Sequence, residues 1–296
     1  PKPSSAASDV YKRQVVYDPK SEVVVTVGGS EGIDIAMRAM LDPGDEVLIP
    51  QPSYVSYLPC CVLANGTPVI IELKAENQFR LTPEELEAAI TPKTKLLVLP
   101  FPNNPTGAIM EKEDLEKVAE IVKKYDLFVL SDEIYSELTY TGDNHVTIAS
   151  LPGMRERTIL INGFSKSYAM TGWRIGFIAG PEWIVKACNK LQGQYTSGPC
   201  SVSQKAAEAA YTGSKAPVEE MRQAFERRRD LIVKLAKEVP GFEVNVPEGA
   251  FYLFPKCSSF FGKSAGDRKI ENSDDLAMYL LEDAHVACVG AVSYTH

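Results

Sequence analysis

The chain has 296 residues, 45% of them hydrophobic and 24% charged, with a formal net charge of −8, which fits a folded globular chain of about two domains. Its Lys and Arg residues are scattered among acids and form no stripe, so neither nucleic acid nor an anionic membrane surface is an expected partner. Apolar runs such as that within 95–100 are far shorter than a membrane span, and the six cysteines have no CxxC pair and no His at metal-ligand spacing, which points to thiols in a reducing, cytoplasmic setting and to no metal.

Residues 1–14 are polar and aperiodic and enter the first strand without any cap or turn, so they read as a non-native leader, as do the last few, 292–296. From there, short apolar or β-branched runs predict strands over 23–27, 46–50, 68–73, 95–100, 127–131, 158–162 and 174–179. Most are apolar throughout, the pattern of strands covered on both faces. Helical periodicity predicts helices between them over 31–41, 54–64, 83–90, 112–125 and 182–195. Thr82-Pro83-Glu84-Glu85 is a start signal, with a hydroxyl cap, Pro at the first helical position and acids in the first turn. Strand alternating with helix predicts an α/β fold with a mostly parallel central sheet.

Near residue 201 the pattern changes to long polar helices, notably 217–237, where the Arg227-Arg228-Arg229 run reads as a solvated face. Strands near 242–244 and 251–254 and a helix near 273–284 follow, giving a smaller α+β domain. The expected division is a leader at 1–14, a large domain at 15–212 and a small, incomplete domain at 213–296.

Four short motifs each follow a predicted strand, where open α/β sheets bind ligands. The first runs from Asn162 through Gly163, Ser165, Lys166, Ser167, Gly172 and Arg174 to Gly176. A lone Lys or Arg is usually an exposed charge, but the small and polar residues around these two suit neither a helix face nor a strand face. The second is Pro102-Asn103-Asn104-Pro105-Thr106-Gly107, which also reads as a plain strand-ending turn. The third is Ser131-Asp132-Glu133-Ile134-Tyr135, whose acid could simply cap a turn. The fourth is the glycine turn Val27-Gly28-Gly29-Ser30-Glu31-Gly32, where helix-start N–H groups can hold a phosphate. Tyr54, in Pro52-Ser53-Tyr54, is either a core residue or an exposed stacking plate.

Taken together in this order, the motifs resemble the class I/II aminotransferases, enzymes of fold type I that use pyridoxal 5'-phosphate, and specifically the aspartate and aromatic group. The resemblance runs from about residue 15 to 289 and includes Pro247-Glu248-Gly249-Ala250-Phe251-Tyr252. It implies that Lys166 is the catalytic lysine that forms the Schiff base, within a Ser165-Lys166 motif. It further implies that Asn104 and Tyr135 bind the cofactor's ring oxygen, Asp132 its pyridine nitrogen, Tyr54 its ring face, and Gly29, Ser30, Glu31 and Arg174 its phosphate. The implied activity is ping-pong transfer of an amino group between an amino acid and a 2-oxo acid, by a homodimer in the cytoplasm. Carbon–sulfur lyases share the lysine motif, and an effector-sensing domain of a regulator shares the fold. Members of the family begin with an arm and helices ahead of the first strand and end on a segment with the arginine for the substrate carboxylate. Relative to them the chain is expected to be truncated at both ends, and neither Arg38 nor Arg155 matches that arginine.

Overall fold

A computed structural model describes residues 15–142, 145–266 and 268–291; the leader assigned to 1–14 and the segment 292–296 lie outside the described residues. Strands β1 (Val23–Thr26), β2 (Glu46–Gln51), β3 (Thr67–Glu72), β4 (Thr94–Leu99), β5 (Phe128–Asp132), β6 (Thr158–Gly163) and β7 (Gly176–Ala179) form one sheet in the order β1-β7-β6-β5-β4-β2-β3. The pairs from β3 across to β6 are parallel, while β7 runs antiparallel to both β6 and β1. All seven strands lie where the apolar runs predict them.

Helices α1 (Gly28–Met40), α2 (Tyr57–Leu63), α3 (Pro83–Ala89), α4 (Lys112–Lys124) and α5 (Glu182–Tyr195) cover the sheet. Successive strand side chains point to opposite faces, and the core divides accordingly. Ile49, Val98, Leu130 and Ile161 pack with Ile33 and Met37 of α1 and with Val185 of α5. Their strand neighbours Leu48, Leu97 and Val129 pack on the other face with Leu86 of α3 and Val118 and Val122 of α4. Both faces are therefore buried, which is why the strands are apolar throughout. α3 starts where its signal stands: the Thr82 hydroxyl accepts from Glu85 N–H, the Glu85 carboxylate accepts from Thr82 N–H, and Pro83 opens the helix.

Three elements start two or three residues away from where the periodicity places them, each for a local reason. α1 begins at Gly28 instead of 31, so the glycine turn forms the helix's own first turn. α2 begins at Tyr57, because Tyr54 closes a preceding turn through its C=O, which accepts from Tyr57 N–H at 3.3 Å. β7 begins at Gly176 because Arg174 holds a left-handed φ of 50°, which no extended strand allows.

Beyond the sheet follow α6 (Ser201–Thr212), α7 (Ala216–Glu238), a two-residue hairpin β8 (Ser264–Ala265) and β9 (Arg268–Lys269), and α8 (Ser273–Glu282). The strand expected near 242–244 appears only as an isolated bridge, Glu243 to Lys256, and 251–254 forms no strand, the nearest bridge being Thr139 to Gly249 just before it. The residues leading into that segment are held instead by turns that follow β4 and β5. Gly107 C=O accepts from Glu248 N–H (3.0 Å) and Gly249 N–H (2.8 Å), and Leu138 C=O accepts from Ala250 N–H at 2.9 Å. The arginine run is only partly a solvated face: Arg227 and Arg228 are exposed, but Arg229 donates to Pro247 C=O at 2.9 Å and lies over the Tyr140 ring.

Gly107 makes that docking possible. Its φ is +71°, and a Cβ there would fall 2.3 Å from Pro247 Cβ and 2.9 Å from the Gly249 oxygen. Gly107→Ala is expected to lower stability by about 2–4 kcal/mol, from left-handed strain plus overpacking. A shifted denaturant midpoint measures the loss, and an unchanged midpoint would refute the account of this contact.

Candidate active site

The strand register brings the motifs together. Gly176 at the start of β7 pairs with Gly163 at the end of β6 on one side and with Thr26 at the end of β1 on the other. The glycine turn, the Lys166 loop and Arg174 therefore share one edge of the sheet, and parallel β4 and β5 end on the same edge. A cavity of about 250 Å³ opens there, walled by Gly29, Ser30, Tyr54, Asn104, Asp132, Tyr135, Ser165, Lys166 and Arg174. Of the residues expected at the site, only Glu31 is missing from the wall.

The Glu31 side chain stands apart from the cavity wall. Its carboxylate accepts from Val27 N–H at 2.6 Å and from Gln192 Nε2 at 3.0 Å, and it also meets the Thr196 hydroxyl, so it ties α1 to α5 and faces away from the cavity. The donors an α-helix offers a phosphate are the N–H groups of its first turn, here those of Gly28, Gly29, Ser30 and Glu31, so the part of Glu31 in a phosphate site is its backbone's. Gly28 holds a φ of +80°, and a Cβ on it would fall 2.4 Å from Arg174 Nη2, so this turn and the guanidinium are fitted to one another.

The lysine loop is tightly held. Thr171 Oγ1 donates to Ser165 C=O at 2.9 Å and Arg174 Nη1 donates to Thr171 C=O at 2.8 Å. Ala169 and Arg174 both take left-handed conformations, with φ of 53° and 50°. Such strain persists only where the surroundings impose it. Lys166 Nζ lies 5.5 Å from the Tyr135 ring centre and 5.4 Å from that of Phe251. Burial lowers its pKa, and the Arg174 charge adds to the effect against the opposing pull of Tyr54 and Asp132.

Asp132 ends β5 and is buried. Its Oδ2 accepts from the Tyr57 hydroxyl at 2.8 Å and its Oδ1 from Ile134 N–H at 3.2 Å. Burial pushes its pKa up to about 6, although both hydrogen bonds and Lys166 favour the charged form. Tyr57 does not stand among the residues the motifs single out. It follows Tyr54 by three positions, the spacing of neighbours on a helix surface, and its ring meets Tyr54 edge-on at 5.7 Å. That spacing is the signal by which it could be found. Tyr57→Phe is expected to raise the Asp132 pKa further, by about one unit, since a hydrogen bond to a charged group has been removed. Carboxyl-selective NMR titration of Asp132 checks this, and an unmoved titration would show that the bond is without effect. Tyr252, also outside the motifs, lines the same cavity.

Tested against pyridoxal phosphate, these residues fit. Asn104 walls the cavity with an amide whose oxygen is buried and unpartnered, and the NH2 group of the same amide is the donor from which a ring oxygen would accept. Asp132 has donors but no cation in salt-bridge range among the described residues, as a partner for a protonated ring nitrogen requires. The helix-start N–H groups and Arg174 provide for a phosphate.

The profile of the aminotransferase class I and II family matches residues 4–295. The chain belongs to this family. Among the aminotransferases it resembles is the aspartate aminotransferase of Geobacillus stearothermophilus, 46% identical over 92% of the chain and 68% of that protein. The bifunctional aspartate aminotransferase and glutamate/aspartate-prephenate aminotransferase of Petunia hybrida is 47% identical over 92% of the chain, which spans only 58% of the petunia protein's length. In structure, the aspartate aminotransferase of Rhizobium meliloti superposes with a TM-score of 0.95 and 39% identity, covering 99% of the chain and 74% of that protein. The aminotransferase fold expected from the motifs, a mostly parallel sheet between helices, is the fold found. No helix among the described residues is long and apolar enough to cross a membrane.

Proposed function

We propose that this aminotransferase-family chain binds pyridoxal 5'-phosphate in the cavity at the sheet edge and moves an amino group from an amino acid, aspartate or a similar acid, to a 2-oxo acid. The observation that carries the reading is the convergence of Lys166, Asp132, Asn104, Tyr135 and the Gly29–Arg174 pair on one cavity. The aspartate preference rests on the names of the relatives alone.

When bound, the cofactor supplies an aldehyde that takes up the amino group and a cationic ring that draws electrons from the substrate Cα. Asp132 holds the ring nitrogen in its protonated form. Asn104 and Tyr135 hold the ring oxygen, Tyr54 covers one face, and the first turn of α1 together with Arg174 holds the phosphate. Lys166 would hold the cofactor through Nζ, and its neutral amine would be the base placed to take the substrate Cα proton. Burial favours that neutral form.

With this reading go a homodimer, a cytoplasmic location and a division into a large domain at 15–212 and a small one from 213. The described cysteines are all free thiols, in keeping with a reducing compartment. Size-exclusion chromatography with light scattering tests the dimer.

Arg174→Ala is expected to weaken pyridoxal phosphate binding by about ten-fold or more, through loss of a charged double donor. Equilibrium dialysis reads the change. The activity itself is tested by incubating the loaded protein with 15N-aspartate and 2-oxoglutarate. Labelled glutamate and oxaloacetate support transfer, whereas labelled ammonia would reassign the chain to lyase chemistry.

A further inference from the structure

The Pro247–Tyr252 segment is absorbed by none of the roles above, yet it is fastened to both loops that meet the cofactor. Besides the two bonds to Gly107 C=O, Glu248 C=O accepts from Tyr140 N–H at 2.9 Å and the Glu248 carboxylate pairs with Arg80 at 2.8 Å. The Tyr140 hydroxyl donates to Ala250 C=O. The Gly107 anchor thus follows Asn104, and the Tyr140 anchors follow Tyr135. The segment ends with Tyr252 in the cavity wall, its hydroxyl 2.6 Å from that of Tyr135. Phe251 and Tyr252 also meet the Tyr135 ring edge-on, at 5.4 and 5.8 Å.

A tyrosine hydroxyl has one hydrogen to give and can accept through its oxygen. Within a pair, one hydroxyl must therefore donate and the other accept. We propose, on the reading of the site given above, that Tyr252 is a positioning residue: it donates to the Tyr135 oxygen, which leaves the Tyr135 hydrogen aimed at the cofactor's ring oxygen. Hydrogen bonds in series polarise one another, so this contact also makes Tyr135 the stronger donor. The segment beyond α7 thereby adjusts the charge on the cofactor without touching its reacting atoms. The ionisable groups facing the Tyr135 hydroxyl are Tyr252, Asp132 and Tyr54, and Lys166 faces its ring.

The test is the pH dependence of the visible absorbance of the lysine-held cofactor. A hydrogen bond to the ring oxygen stabilises its anion and weakens the hold of the adjacent Lys166 nitrogen on its proton. Tyr135→Phe therefore moves the absorbance transition to higher pH. Tyr252→Phe keeps the ring packing and is expected to move it the same way by about half a pH unit, the size of one neutral hydrogen bond. In the Tyr135→Phe background the second substitution is expected to add nothing, because its effect runs through Tyr135. No shift in Tyr252→Phe, a shift to lower pH, or a shift that persists without the Tyr135 hydroxyl would overturn the assignment while leaving the cofactor site intact. A wild-type chain that develops no visible absorbance with pyridoxal phosphate would overturn the reading of the site and this inference with it.

Discussion

Lys166→Ala is expected to abolish the visible absorbance of the protein mixed with pyridoxal phosphate and to lower amino transfer by about a thousand-fold or more, the scale lost with a positioned proton-transfer group and nucleophile. Among the described residues Lys166 is the one lysine in the cavity wall, and it extends from a loop pinned at two left-handed residues, Ala169 and Arg174. The ring contacts and the helix-start phosphate donors lie elsewhere, on α1, at the end of β5 and in the turns after β4 and β5, and Arg174 is eight residues further along the loop, so the variant should still bind the cofactor, without a covalent link. Retained cofactor in dialysis with absent visible absorbance is thus the specific signature. Absorbance like that of the wild type would remove Lys166 from its role.

Asp132→Asn is expected to separate function from stability. Without the carboxylate the ring nitrogen has no negative partner in the wall, and transfer should fall by about a hundred-fold or more. The effect on the cofactor-free chain has the opposite sign. Unfolded, Asp132 loses its proton near 3.8, whereas burial in the fold holds the proton to about 6. Between those values the folded chain binds the additional proton, so this group lowers stability as pH rises through the window, and the loss persists at neutral pH. A difference of about two units corresponds to about 3 kcal/mol. Asn in the same place carries no charge, so the apo variant should melt higher than the wild type at pH 7 and gain nothing below about pH 4. Melting curves at both pH values check this, and an apo variant less stable than the wild type at pH 7 would contradict the burial argument. The native sequence keeps a carboxylate that destabilises the empty fold, as expected where a group is retained for chemistry.

The sheet was legible in the sequence because its strands are covered on both faces, so the apolar runs at 46–50, 95–100 and 158–162 need no partner information to be recognised. The site was legible because its residues sit in short motifs directly after those strands. What escaped is tertiary. Tyr57 shows its role only when the turn before α2 meets the end of β5, and Tyr252 only when a distant segment docks on Gly107. The direction of the Glu31 side chain is tertiary too: the residue stands inside the phosphate turn in sequence, and the helix points its carboxylate toward Gln192 and Thr196 on α5 and the loop that follows it. The 251–254 run is apolar because Phe251 and Tyr252 pack on Tyr135, so its composition resembles that of a strand without any ladder to join.

The central claim is that Lys166 holds pyridoxal phosphate in the cavity at the sheet edge. Reducing the loaded protein with borohydride and mapping the peptides by mass spectrometry tests it most directly. A phosphopyridoxyl group on Lys166, in one equivalent per chain, is the expected result; modification of a different lysine in its place, or of none, would contradict it.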